Sequence, residues 1–105
     1  MFRVTQNIHF HLPDSDITIP FVFTKKEEVQ EFCKFCDALF EDSEYVFEWE
    51  EESSGNVFSL NADVDTLVIT VHNKTGLSVE WRLDVSRSVK RSFKGAKNNI
   101  SKFLE

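Results

Sequence analysis

The sequence predicts an α+β protein: an antiparallel sheet of about six strands in the order ββ-α-ββββ-α, with two helices packed on one face. Three observations carry this. Six short segments alternate apolar and polar residues with a period of two. Two longer segments repeat their apolar residues every three or four positions, the period of a helix with one buried stripe. The last four short segments are joined by connections short enough for hairpins, which makes them an antiparallel meander. A chain of 105 residues reads as a single domain, residues 1–105. Its eleven Phe and two Trp supply a core, because each aromatic ring buries a large area.

Residues 2–12 open the sheet, with Val4, Ile8, Phe10 and Leu12 on one face and Arg3, Thr5, Asn7, His9 and His11 on the other. Pro13-Asp14-Ser15-Asp16 is a turn sequence. Ile17, Ile19, Phe21 and Phe23 then alternate with Thr18, Pro20 and Val22. Pro20 has no N–H for a ladder, which places this strand at an edge or bends it there. Thr24-Lys25-Lys26-Glu27 fits a capping box, so a helix is expected from about Lys25 to about Glu41. Its stripe is Val29, Phe32, Cys33, Cys36, Leu39 and Phe40, with Phe35 at the margin. Four strands follow: Glu44 to Glu50, Asn56 to Ala62, Thr66 to His72 and Leu77 to Leu83. Tyr45, Phe47, Trp49, Phe58, Leu60, Leu67, Ile69 and Val71 point inward, as do Leu77, Val79, Trp81 and Leu83. Asp84 is placed to cap a last helix, whose stripe is Val85, Val89, Phe93, Ala96, Ile100, Phe103 and Leu104.

The chemistry-bearing residues form no catalytic set. Cys33 and Cys36 make a C-x-x-C, but both fall in the apolar stripe, two turns into a helix. Reactive thiols need an electropositive, accessible place such as a helix N-terminus, so core packing is expected. His9 and His11 share a strand face, yet no third ligand lies near them in sequence, and no metal site is assigned. Gly-rich phosphate loops and zinc-protease motifs are lacking. The chain is read as a non-enzyme without cofactor. No apolar run approaches the ~20 residues of a membrane span, and the N-terminus lacks the basic-then-apolar layout of a signal peptide. A cytoplasmic location with no membrane partner is therefore expected.

Charge is the remaining signal. Glu27 to Asp65 holds thirteen acids and one base, Lys34, whereas Trp81 to Glu105 holds seven bases and two acids. Net charge is −6. Nucleic acid is an unlikely partner, because no aromatic residues interleave the bases of the last helix. Within the acidic half, Glu44, Glu48, Glu50, Glu51 and Glu52 crowd one strand and its loop. Glutamate is a poor strand former and like neighbours repel, so the group is either a solvated, self-protecting edge or a docking surface for a basic protein. The second reading makes this an acidic protein-binding module, such as an immunity or antitoxin-type inhibitor of a basic protein. The alternative is a helix-grip-like module that binds a small ligand in an apolar pocket between sheet and C-terminal helix. That pocket would be lined by Tyr45, Phe47, Trp49, Phe58 and Trp81. A homodimer is compatible with either.

Overall fold

The structure, a computed structural model, describes residues 2–11 and 16–104. The inward Leu12 and the turn at Pro13-Asp14-Ser15 lie outside the described residues. Strands β1 (Val4–His11) and β2 (Asp16–Phe23) pair antiparallel from Val4↔Phe23 to His11↔Asp16. Helix α1 (Lys26–Phe40) follows. Strands β3 (Tyr45–Glu50), β4 (Val57–Ala62), β5 (Thr66–His72) and β6 (Ser78–Asp84) form an antiparallel meander in sequence order. Helix α2 (Arg87–Ile100) runs into a 3₁₀ turn over Ser101–Leu104.

The antiparallel α+β architecture and the order of elements are as expected, but the strands form two sheets, of two and four strands, instead of one. Aromatic rings join the two. Phe21 and Phe23 of β2 meet Trp49 of β3 at 5.2 and 5.3 Å between ring centroids. The sheets are joined through the core, and α1 completes the join. Its Phe32 touches Phe21, Phe23 and Phe47 from both sheets, and Phe93 of α2. Phe47, Trp49 and Phe58 stack in a row, at 4.8 and 5.0 Å.

Four local expectations change. The N-terminus of α1 is held by Glu28, not Glu27: its Oε1 accepts from the Thr24 and Lys25 amides at 2.8 and 3.1 Å. Phe35 is fully buried, between Tyr45 and Phe93, while Phe40 is 50% exposed. Because α1 has neighbours on both flanks, its buried face is wider than the stripe drawn for a one-sided helix. The cap of α2 is Ser86, whose Oγ accepts from the Val89 amide at 3.3 Å, and Asp84 ends β6 instead. Helix α2 packs mainly on β1 and α1, with Phe93 against Phe10 and Phe35. Of its stripe, Phe93, Ala96 and Ile100 are buried, while Phe103 is exposed because the 3₁₀ turn changes the helical phase.

The core therefore lies under β3, β4 and the near half of β5. The start of β6 overhangs it: Leu77 and Val79, expected inward, are 71% and 53% exposed, and only Leu83 is buried. Among the described residues, no helix is long and apolar enough to cross a membrane.

Candidate functional site

The backbone register decides what each sheet edge presents. Glu51 donates its N–H to the Asn56 carbonyl at 2.8 Å, which makes Glu51↔Asn56 a hydrogen-bonded pair. Antiparallel ladders alternate, so the backbones of Val46, Glu48 and Glu50 point away from β4 to the free edge. Their side chains also leave the core side, because Phe47 and Trp49 are buried. Glu44, just before β3, and Glu48, Glu50 and Glu52 are exposed; Glu51 is half-buried and accepts from Ser53 Oγ at 3.0 Å. The five residues are thus brought to one edge and its hairpin.

Gly55 closes that hairpin. Its φ of +73° suits glycine, and a Cβ there would lie 2.0 Å from Cε of Lys74, which crosses the loop. Two shallow cavities flank the acids. One of about 260 Å³ is lined by Thr24, Lys25, Glu50 and Glu52. The other, about 180 Å³, is lined by Arg3, Val22, Thr24, Glu51, Glu52 and Ser53. Bases from three distant parts of the chain therefore border a patch that looks wholly acidic in sequence. Among the described residues, however, no base lies within 4.0 Å of a carboxylate oxygen of the five.

Three other acids of the same half are ion-paired among the described residues. Asp37 holds Lys97, and Asp42 holds Lys90 at 2.7 Å, so the basic helix α2 is tied to α1 within the molecule. Glu31 takes Lys34 at 3.3 Å and the Tyr45 hydroxyl at 2.7 Å. These donors hold the Glu31 carboxyl below its ordinary pKa, the Tyr45 bond first, and the same bond raises the tyrosine. The Asp37 hydrogen bond likewise raises Lys97.

Cross-strand rows carry the acidic edge onto the outer sheet face. Glu48, Ser59, Thr70 and Glu80 form one row, and Glu50, Val57, His72 and Ser78 the next. Glu80 belongs to this surface and was not singled out from sequence. Finding it needed the register of three hairpins, which fixes which residues stand side by side.

Other sequence candidates fall elsewhere. Cys33 and Cys36 are buried and unbridged, and burial pushes both thiols up, the opposite of redox activation. His9 Nδ1 bonds Thr18 Oγ1 across the hairpin; the side chain of His11 lies outside the described residues. Among the described residues, no three His, Cys, Asp or Glu gather as metal ligands. None of the four cavities described is lined by Tyr45, Phe47, Trp49, Phe58 or Trp81. The largest of them, about 540 Å³, is an open groove lined by Arg87, Lys90, Arg91 and Lys94 of α2 and by Phe40. There Lys94 Nζ sits 4.8 Å from the Phe40 ring centroid, an aromatic contact that spacing along α2 could not reveal. Compared with known proteins, the chain matches no family model, and no curated protein or solved structure matches it significantly.

Proposed function

We propose that the protein is a binding module whose acidic edge, Glu44, Glu48, Glu50, Glu51 and Glu52, docks a basic protein partner, as an immunity or antitoxin-type inhibitor does. One observation carries this reading. Asp37 and Asp42 are neutralised by α2 inside the molecule, while the five glutamates crowded on β3 and its hairpin have no ion-pair partner among the described residues. Unpaired like charges on one edge repel each other, and a cationic partner relieves that repulsion. The adjoining outer face, with Ser59 and Thr70, extends the surface such a partner would cover. The pocket alternative is less favoured, because Phe47, Trp49 and Phe58 are buried against one another.

The test is capture from a lysate of the source organism with wild type and with Glu48→Lys/Glu50→Lys, followed by association kinetics on whatever basic protein the wild type retains. The double reversal is expected to slow association about tenfold or more, because long-range steering acts on the on-rate. Added salt should narrow the difference. An unchanged rate and salt dependence would leave the acidic edge as a solvated surface only.

A further inference from the structure

We infer that the opposite edge of the same sheet, strand β6, is a self-complementary pairing surface and that its partner is a second copy of this chain. Four observations lead there. First, among the described residues β6 is an edge strand, and no helix packs substantially on it. Second, Asn73 donates its N–H to the Leu77 carbonyl and Val85 to the Asp65 carbonyl, both at 2.9 Å. Both bonds belong to one register, Thr66↔Asp84 through His72↔Ser78, and both fix the same alternation. Val79, Trp81 and Leu83 therefore turn their backbones toward β5, and Ser78, Glu80, Arg82 and Asp84 turn theirs outward, where β6 has no neighbouring strand among the described residues.

Third, the charges of the outward residues alternate in sign. Two antiparallel copies of β6 related by a two-fold axis must oppose outward residue to outward residue. With the axis at Trp81, the middle of Ser78–Asp84, the whole strand pairs. Glu80 then faces the second copy's Arg82, Arg82 faces its Glu80, and Ser78 faces its Asp84. Moving the axis one residue, to Glu80 or to Arg82, sets Glu80 against Glu80 or Arg82 against Arg82. Moving it two residues leaves less than half the strand paired. Charge and length thus select one register. The Glu80–Arg82 contact within each chain, 3.0 Å, becomes half of a four-charge cluster around the axis.

Fourth, the same register covers the apolar residues that overhang the core. The two-fold keeps inner face with inner face. Val79, 53% exposed, comes opposite the second copy's Leu83, and Leu77, 71% exposed, comes opposite its Val85. Trp81 meets Trp81 at the axis in a non-hydrogen-bonded pair, the closer kind, where aromatic pairs are favourable. Two four-stranded sheets become one continuous sheet. β3 is denied this arrangement. Its outward residues are Val46, Glu48 and Glu50, preceded by Glu44, and every two-fold register that pairs the strand sets glutamate against glutamate.

Sedimentation equilibrium on the full chain tests this, with wild type, Glu80→Arg, Arg82→Glu and the swapped double variant Glu80→Arg/Arg82→Glu. These side chains are exposed, and circular dichroism checks each fold. Wild type is expected to dimerise reversibly. Each single reversal places like charges opposite each other twice and should raise the dissociation constant about tenfold or more. The double swap restores complementarity and should return it to within about threefold of wild type. A wild type that stays monomeric up to about 1 mM, below the reach of even weak association, would overturn the inference. So would a dimer indifferent to the single reversals, or one that the double swap does not restore.

Discussion

β3 and β6 bound the same four-stranded meander, yet they differ in both charge and support. On β3 the outward residues carry one sign, and the inward Phe47 and Trp49 are buried in an aromatic row. On β6 the outward residues alternate in sign, and the inward Leu77 and Val79 lie beyond the core. Like charge blocks self-pairing and leaves an edge open to a partner of opposite charge. Alternating charge on a half-supported strand does the reverse: it tolerates a copy of itself, and the copy supplies the missing apolar cover. One sheet can thus present two different surfaces through the placement of a few side chains along its edges.

The largest expected effect sharpens the difference in support. Trp49→Ala should cost about 3–5 kcal/mol in a denaturant titration, because a buried ring that stacks on Phe47 and Phe58 leaves a cavity. Val79→Ala, measured at a concentration where the protein is monomeric, should stay within about 0.5 kcal/mol of wild type. Equal costs at the two sites would mean that β6 is as well packed as β3.

A smaller effect tests the difference in charge. Glu48→Lys/Glu50→Lys should leave the free protein as stable as wild type or raise its stability by about 0.5–1 kcal/mol, since repulsion along β3 is relieved. A clear loss of stability would show that these carboxylates make favourable contacts in the free molecule.

The smallest effect separates paired from unpaired acids. Tyr45→Phe should cost about 0.5–1 kcal/mol near neutral pH, less than a buried hydrogen bond to a charged group, because Glu31 is half-exposed. The signs follow from the shifts. Glu31 is lowered, so its contribution is present above the unfolded carboxylate pKa and is lost as pH falls through the lower folded value. Tyr45 is raised, so its contribution is present below the unfolded phenol pKa and is lost as pH rises through the higher folded value. The variant's stability should therefore fall less steeply than wild type at both ends. Unchanged steepness would detach the Tyr45–Glu31 bond from stability.

Local patterns in the sequence were enough to place the elements, because alternation and helical stripes are properties of neighbouring residues. All six strands and both helices appear where period two and period 3.6 put them. What needed tertiary structure was less visible. Thr24 to Glu27 fits a capping box by residue type, yet it is Glu28, one residue on, that accepts from the Thr24 and Lys25 amides. Phe35 and Phe40 exchange roles because α1 has neighbours on both flanks. The division into two sheets is a matter of which strands pair, which alternation within a single strand does not encode. Among the site residues, Glu44, Glu48, Glu50, Glu51 and Glu52 were visible as a cluster, but the separation of paired from unpaired acids was not. Asp37 and Lys97 lie 60 residues apart.

The contrast between the edges is tested most directly by amide hydrogen exchange on the free protein at low and high concentration, read residue by residue. The outward amides of Glu80 and Arg82 should exchange fast in dilute solution and slow as concentration rises. Those of Glu48 and Glu50 should stay fast throughout, because β3 repels its own copy. Concentration-independent exchange on β6, or protection that grows on β3, would contradict the account.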